Sequence, residues 1–448
     1  MTNIEEITEY QAGFLVKEKY EDDATGEVKY KILIGKKEII VYLSDINSNT
    51  NILKLARYGL DITQEEASET LRELKRQIRN PNLKISPILS RIGFIDNKYI
   101  HPYDNNIVID HNNSEEGKYI DSFQVSGSVE EWREDIFDSF QDDAKAQFYI
   151  CGSLASIMLK HFNVQPFILE IFGLTSTGKS TLVNIAASVW GTPNLVGGWN
   201  MTQNALDFRA AYANIFPLML DDTQNAKEKQ LKDIIYSFSS KKVRDRATPT
   251  GVQETRDWHN ILLTSGEYSI FSIVSASGGA AARCISINMD AHNRSDEFYD
   301  DLYEAMKDNK GIIGYEFFKF YRNEINNPHN KLDDDYKAIV QKLRKFATNA
   351  VSKRLARAYA VIILAAEILI DYFGFTIDTE AFYDIFENIS KENDHVDLVS
   401  NQLKVLLEYI DTERNFGKYY YLSDEGNLLL PVKFVNDFLN KNRTVIRK

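Results

Sequence analysis

The chain has 448 residues, of which 44% are hydrophobic and 26% are charged, and its 52 Lys and Arg against 65 Asp and Glu give a net charge of −13. This composition excludes a disordered chain and an evenly basic nucleic-acid-binding surface, but it permits a local basic channel. The two cysteines exclude a disulfide framework and a cysteine-rich zinc site. At about 100–200 residues per domain, the length predicts two to four domains.

The N-terminal sequence MTNIEEITEY is acidic and has no apolar core, so we expect no signal peptide. The most apolar window, 355–375, contains Arg357, Glu367 and Asp371, which a membrane-spanning helix would not tolerate. We therefore interpret this window as a buried helix and expect a cytoplasmic protein that does not contact membranes.

Alternating and apolar runs in the N-terminal part predict β structure, followed by an amphipathic helix at 63–78 and a second β-rich stretch at 83–125. The first three strands are predicted at 13–19, 28–34 and 37–43. Ser128, with Glu131 three residues later, has the spacing of a capping box, so a helix is predicted to begin there and to continue to about Leu159.

Between 165 and 290, short apolar runs alternate with helical stretches, which is typical of an α/β domain with a parallel sheet. The remainder is predicted to be mostly helical, at 296–308, 313–326, 331–350, 352–373, 378–390 and 397–413. A helix, a hairpin around the turn DEGN and a last helix resemble a winged helix.

These changes of pattern divide the chain into five predicted segments. They are an N-terminal α+β domain (1–82), a β-rich then helical collar or linker (83–160), an α/β core (161–295), a helical lid (296–395) and a winged-helix-like C-terminal domain (396–448).

The sequence GLTSTGKS fits the phosphate-loop pattern and lies between an apolar strand and a helix, as that motif requires. Its glycines allow backbone N–H groups to surround phosphates at the N-terminus of the helix. The alternative is a simple glycine turn at a strand–helix junction. The predicted ATP-binding residues are Gly173, Thr175, Ser176, Thr177, Gly178, Lys179, Ser180 and Thr181, and Ser180 is also a predicted Mg²⁺ ligand.

A second predicted strand, FPLMLDD, ends in two carboxylates. We expect Asp221 to hold Mg²⁺ and Asp222 to polarise the attacking water, although a buried strand with a polar end is the simpler alternative. A third strand, NILLTSG, ends in Thr264 and Ser265, and either hydroxyl could sense the γ-phosphate from a position beside the carboxylates.

Three sets of basic residues suggest contacts with nucleotide or DNA. Arg283 precedes a fourth apolar run, where an arginine of a ring ATPase reaches the neighbouring subunit's nucleotide. Arg354 or Arg357 could be a second sensor. A predicted hairpin at about 241–256 concentrates positive charge and would suit single-stranded DNA, although solvated charges are the alternative reading of each of these groups. The hairpin residues predicted to bind DNA are Lys241, Lys242, Arg244 and Arg246.

With these motifs in order, the chain resembles the AAA+ replicative helicases of phages, pathogenicity islands and staphylococcal cassette elements, which are similar to MCM and superfamily 3 helicases. The resemblance is strongest over about 85–290 and looser to about 370. It rests on SGSVEEWRED, GLTSTGKST, GGWNMTQNALDFRAAYANIFPLMLDDTQ, LLTSGE, the Gly/Ala-then-Arg element at 278–283, and RLARAYAVIILAAE.

The resemblance implies an α/β AAA+ P-loop ATPase core with sheet order 5-1-4-3-2, in a ring of six identical subunits. It places Lys179, Ser180, Asp221 and Asp222 in one subunit and Arg283 in the next. It also implies ATP and Mg²⁺ as cofactors, single-stranded and forked DNA in the central pore, and 3′→5′ translocation.

The sequence therefore predicts an ATP-dependent hexameric DNA helicase that starts replication of a mobile element. Three alternatives stay open. The chain could be an initiator ATPase that binds origin DNA and unwinds little, a primase-helicase, or a small-molecule phosphotransferase. The last alternative gives no role to the basic hairpin or to Arg283.

Overall fold

The computed structural model describes residues 13–21, 28–89, 92–95, 97–104, 108–109, 115–174, 177–226, 228–239, 247–248, 251–252, 257–270, 282–290, 294–347, 350–394, 421–422 and 428–429. The chain divides into two compact units. The first comprises 1–125 with 212–214, and the second comprises 126–211 with 215–448. The five predicted segments stay a prediction.

The first unit is built on a mixed sheet in the order β3-β2-β1-β4-β7. Its elements are β1 (Phe14–Glu21), β2 (Val28–Ile34), β3 (Lys37–Tyr42), α1 (Asn49–Ile52), α2 (Ala67–Ile78), β4 (Lys84–Leu89), β5 (Gly93–Ile95), β6 (Lys98–Ile100), β7 (Val108–Ile109) and α3 (Glu115–Asp121). The first three predicted strands are confirmed, and α2 confirms the amphipathic helix. Because β4 pairs in parallel with β1, this sheet includes strands from both sides of the predicted boundary after residue 82.

The predicted β structure of 118–125 is wrong, because this stretch begins inside α3. Gly117 and Ile120 are buried three residues apart, which is a helical rather than an alternating spacing. Tyr119 packs edge-on against Phe123 with ring centroids 5.3 Å apart, and the Ser122 hydroxyl donates to the Lys118 carbonyl where the helix ends.

The second unit contains a five-stranded parallel sheet in the order β14-β8-β13-β10-β9, which is 5-1-4-3-2 when its strands are numbered along the chain. This sheet confirms the predicted α/β class. The elements to its last strand are α4 (Val129–Trp132), α5 (Ala144–Ala155), β8 (Phe167–Phe172), α6 (Lys179–Ser188), β9 (Val196–Gly198), α7 (Gln203–Ala213), β10 (Leu218–Asp221), α8 (Glu228–Phe238), β11 (Ala247–Thr248), β12 (Gly251–Val252), β13 (Ile261–Gly266) and β14 (Cys284–Asn288).

Central strands of this sheet are apolar along their whole length because helices cover both faces. β13 is buried at every residue, and β8 is buried at all but its last. A core that includes Ile168, Leu220, Leu262 and Trp258 packs on the sheet. Glu170 is therefore an exceptional residue for the middle of β8.

The helical C-terminal part agrees with the predicted pattern as far as residue 394. It comprises α9 (Asp296–Asp308), α10 (Ile312–Glu324), α11 (Leu332–Phe346), α12 (Ala350–Phe373) and α13 (Thr379–Asp394). The apolar window at 355–375 belongs largely to α12, which packs against α5 and α11. Within the described residues, no helix has the length and apolarity needed to cross a membrane.

The predicted last helices lie outside the described residues, so the winged helix is untested. Of the hairpin predicted in the winged helix, the short strands β15 (Tyr421–Leu422) and β16 (Leu428–Leu429) are described, and they pair antiparallel.

The helix predicted from Ser128 to Leu159 is interrupted. The Ser128 hydroxyl accepts the Glu131 N–H at 3.1 Å, which confirms the N-cap. After α4 the chain passes through a π-helical turn and a 3₁₀ turn, and Asp143 then starts α5 as a new helix. One oxygen of Asp143 accepts the N–H groups of Lys145 and Ala146 at 3.1 and 3.0 Å.

Replacing this second cap tests how far α5 depends on it. Asp143→Ala leaves two N–H groups of the first turn without their acceptor, so we expect the unfolding free energy to fall by about 1 kcal/mol. Urea denaturation measures the change. Asp142→Ala, at the exposed neighbouring position, is the matched control, and equal stability of both variants would contradict the capping role.

Candidate active site

The phosphate-loop sequence connects the end of β8 to the start of α6. Gly178 has φ +77° at the N-cap of α6, a backbone conformation that favours glycine. The N–H of Gly173, which follows β8, donates to the carbonyl of Gly266 at 3.3 Å, so the loop is joined to the end of β13. Thr175 and Ser176 lie outside the described residues. The described part has the local geometry expected of a phosphate-binding loop.

Lys179 is the first residue of α6, and its side chain extends back to this loop. Its Nζ donates to the carbonyls of Gly173 and Leu174 at 3.0 and 2.6 Å and to Thr177 Oγ1 at 3.1 Å. Burial lowers the pKa of Lys179, and three nearby carboxylates oppose that shift, in the order Glu267, Asp221, Asp222. The ammonium group is thus held beside the loop and surrounded by negative charge.

The two predicted carboxylates differ in what they contact. Asp221 Oδ1 accepts a short hydrogen bond from the Ser265 hydroxyl, which links the ends of β10 and β13. Asp222 has φ +61°, and its carboxylate accepts the Gln224 N–H at 3.2 Å and Asn225 Nδ2 at 2.9 Å. Asp222 therefore caps the turn that follows its own strand.

The predicted pair of hydroxyls is divided between the core and the site. Thr264 is fully buried, accepts from Trp199 Nε1 at 2.9 Å and donates to the Leu220 carbonyl at 2.6 Å. It joins two strands inside the sheet and does not line the cleft described below. Ser265, the next residue, faces the opposite side because successive residues of a strand alternate, and it lines the cleft.

These residues surround a cleft of about 470 Å³ at the carboxyl edge of the sheet. It is lined by Thr177, Gly178, Lys179, Ser180, Thr181, Asp221, Asp222, Ser265, Gly266, Glu267, Tyr299 and Tyr303. Parallel α/β sheets bind ligands at this edge.

Four lining residues, Gly266, Glu267, Tyr299 and Tyr303, were not assigned a role from the sequence. Glu267 ends the LLTSGE motif, but a single carboxylate after a strand carries no specific signal. Tyr299 and Tyr303 lie one turn apart on α9, and the Tyr303 hydroxyl is 3.3 Å from Thr181 Oγ1. That aromatic pair at a spacing of four residues was the available signal, and it also fits a buried helix face.

The cleft has the size that a nucleoside triphosphate requires, together with a cationic group for the phosphates and oxygen ligands for Mg²⁺. Its volume is within the range of ligand pockets, and most of the Lys179 side chain is already buried there. The exposed Ser180 and the carboxylate of Asp221 supply the oxygen ligands that Mg²⁺ prefers. Ser180 and Asp221 would hold the metal, while Lys179 would contact the β- and γ-phosphates.

The predicted arginines lie elsewhere. Arg283 precedes β14, its carbonyl accepts the Ile168 N–H near the start of β8, and its guanidinium lies 5.2 Å from the Tyr236 ring centroid. It is therefore at the amino edge of the sheet, opposite the cleft. Arg354 is exposed and is not among the described residues that line the cleft. Arg357 donates instead to the carbonyls of Phe162 and Asn163.

The basic residues of the predicted hairpin, Lys241, Lys242, Arg244 and Arg246, lie outside the described residues. Of this predicted hairpin, the short strands β11 and β12 are described, and they pair antiparallel.

A buried glutamate supports the turn next to the cleft. Glu170, fully buried in β8, accepts the Ile270 N–H at 2.9 Å and the Ser286 hydroxyl at 2.6 Å. Burial raises the pKa of Glu170 to about 8, against the opposing effect of these two donors. This residue thus fixes the segment that leaves β13 and carries Glu267.

The parallel sheet and its cleft define the class of the second unit, a phosphate-loop α/β fold. The chain belongs to the family described as "Domain of unknown function (DUF927)", whose model matches residues 4–258.

Solved structures extend the comparison over most of the chain. The structure described as "SCCmec type IV Cch - active helicase" is 21% identical, covers 96% of this chain and 86% of its own, and has a TM-score of 0.71. The chain therefore shares the fold of a cassette helicase. "The A form apo structure of NrS-1 C terminal region-CTR" is 13% identical, with a TM-score of 0.33 over 81% of this chain and 88% of its own. No curated protein matches the chain.

Replacing Lys179 tests the cleft as a nucleotide site. Because a charge-assisted hydrogen bond contributes roughly 1.5–3 kcal/mol, Lys179→Ala should weaken the binding of a fluorescent ATP analogue by about 10- to 100-fold. Lys337→Ala, on the exposed side of α11, is the matched control and should bind as the wild type does. Unchanged affinity in a folded Lys179→Ala protein would contradict the assignment of this cleft as the nucleotide-binding site.

The raised pKa of Glu170 predicts a pH-dependent stability. Between pH 4.5 and about 8, the folded state keeps a proton that the unfolded state releases, so stability is lost as pH rises through this window. The slope is on the order of 1.4 kcal/mol per pH unit, and Glu170→Gln should remove it. Urea midpoints from pH 5 to 8 measure the effect. Parallel curves for Glu170→Gln and the wild type would contradict it, and Glu65→Gln, at an exposed site, is the control.

Proposed function

We propose that the chain is an ATP-driven DNA helicase of the AAA+ class, related to MCM and superfamily 3 helicases, which initiates replication of a mobile genetic element. The observation that carries the proposal is the cleft in which Lys179, Ser180, Asp221 and Ser265 meet at one edge of a parallel sheet. The shared fold with a cassette helicase over 96% of the chain supports it.

In this proposal each cleft binds and positions ATP. The Lys179 ammonium exchanges the carbonyls of Gly173 and Leu174 for phosphate oxygens, and the N-terminus of α6 adds its positive end. Mg²⁺, when bound, would neutralise charge on the phosphates. Ser265 donates to Asp221, and this hydrogen bond fixes the orientation of the carboxylate that would hold Mg²⁺.

The position of Arg283 supports a ring of subunits. Four residues of β8, roughly 13 Å of strand, separate Ile168, which contacts the Arg283 carbonyl, from the end of β8 at the cleft. Arg283 is therefore poorly placed for its own nucleotide. It would act on the nucleotide of the next subunit in a hexamer, as an arginine finger does.

DNA would occupy the central pore of that ring. The basic hairpin, with Lys241, Lys242, Arg244 and Arg246, would contact the phosphates of one strand, and hydrolysis around the ring would move the hairpins in the 3′→5′ direction. Arg354 is proposed as a second sensor and the C-terminal segment as a winged helix that recognises origin DNA.

Strand displacement distinguishes this proposal from an initiator that uses ATP only as an assembly switch. We expect ATP turnover that single-stranded DNA stimulates, and release of the labelled strand from a forked duplex. Native mass determination on the same sample gives the subunit number. ATP binding and assembly without displacement would favour the initiator, and primer synthesis would favour a primase-helicase.

Mixing two inactive variants tests whether Arg283 acts between subunits. Arg283→Ala should bind ATP but lose most ATPase activity, since an arginine finger accelerates hydrolysis by about 10³–10⁵-fold. Combined with Lys179→Ala protein, it should recover part of the activity, because an intact Arg283 then faces an intact cleft. No recovery in mixtures that demonstrably exchange subunits, or near-normal ATPase in Arg283→Ala alone, would contradict the assignment.

A further inference from the structure

The carboxylate of Glu267 lines the cleft. Glu267 belongs neither to the phosphate loop nor to the carboxylate pair Asp221 and Asp222, so these motifs assign it no role. It follows Gly266, the last residue of β13, and is half-buried in the cleft lining with Lys179 and Ser180. It is also the first of the three carboxylates that act on Lys179. Its negative charge therefore lies near the group expected to contact the β- and γ-phosphates.

Asp221 and Asp222 each hold a neighbouring segment through hydrogen bonds. Asp221 accepts from Ser265, and the oxygens of Asp222 accept from Gln224 and Asn225 in its own turn. Before the Asp222 carboxylate could take a proton from water, it would have to release the Gln224 N–H and Asn225 Nδ2. The backbone of Asp222, which has a positive φ, would then lose these stabilising hydrogen bonds. Glu267 follows a different strand, β13, and its side chain is one methylene longer than that of Asp222.

The backbone that carries Glu267 is fixed on both sides. The Gly266 carbonyl accepts the Gly173 N–H, and a Cβ on Gly266 would lie 2.2 Å from Thr223 Oγ1, so a side chain at this position would require the buried Thr223 to move. Three residues beyond Glu267, the Ile270 N–H donates to the buried Glu170. This anchoring keeps the Glu267 backbone in register with the phosphate loop, as a reacting group requires.

We propose that Glu267 is the general base of ATP hydrolysis in this chain, which rests on the proposed function. Its carboxylate removes a proton from the attacking water while the water oxygen forms a bond to the γ-phosphorus. The bond from the γ-phosphorus to the bridging oxygen breaks, and that oxygen leaves on ADP with the electron pair. The proton then passes from Glu267 to the inorganic phosphate, which regenerates the carboxylate.

Glu267→Gln tests the proposal because it keeps the shape of the side chain but cannot accept the proton. We expect ATP turnover to fall by about 10²–10⁴-fold while the affinity for a fluorescent ATP analogue stays within about threefold. Nucleotide extracted from the variant after incubation with ATP should be ATP, whereas the wild type should carry ADP. Glu304→Gln, on the exposed face of α9, is the matched control and should retain wild-type turnover.

Two further measurements separate a base from a structural group. The acidic limb of the wild-type pH–rate profile should disappear in Glu267→Gln, and Glu267→Asp should restore part of the turnover. Asp222→Asn should cost less turnover than Glu267→Gln. A larger loss in Asp222→Asn, with ATP retained on the protein, would move the base to Asp222 and overturn the proposal.

Other outcomes are equally decisive. Glu267→Gln that hydrolyses ATP within about threefold of wild type, or that loses ATP affinity or thermal stability, overturns the role of Glu267 but leaves the ATPase assignment intact. A wild-type protein that neither binds nor hydrolyses ATP overturns the proposed function itself.

Discussion

The cleft depends on one constraint, which is that parallel strands β8, β10 and β13 all end at the same edge of the sheet. That edge brings together residues 90 positions apart, Thr177 and Glu267. Hydrogen bonds then hold the ends of these strands together. Ser265 donates to Asp221, and the Gly173 N–H donates to the Gly266 carbonyl. The register of the sheet therefore sets the geometry of the site.

The interior of the sheet supports this edge at the cost of burying a carboxyl group. Glu170 is fully buried, and its carboxyl group accepts hydrogen bonds from the Ile270 N–H and the Ser286 hydroxyl. These bonds join β8 to β14 and to the segment after β13. A buried acid is unfavourable unless it is hydrogen-bonded, and here its bonds hold the backbone beside the cleft. An apolar residue of similar size would fill the space but would leave the Ile270 N–H without its acceptor.

Sequence reasoning works best where the signal is local. The phosphate loop, the parallel sheet and helices such as α9 and α12 could be predicted because spacing and periodicity determine them. Thr264 and Ser265 could not be separated, since only the pleat of β13 decides which one faces the core. Glu267, Tyr299 and Tyr303 reach the cleft through tertiary packing. The helical conformation of α3 was missed because its short segment also fits a strand.

If Arg283 acts on the cleft of a neighbouring copy, as proposed, each chain would have two different binding faces at opposite edges of one sheet. Two copies that joined them would use a heterologous contact, in which the carboxyl edge of one meets the amino edge of the next. A row of copies joined in this way has one uncovered face at each end. Both faces of every copy are covered only when the row closes into a ring. The rotation between neighbouring copies would then decide whether the series forms a closed ring or an open filament.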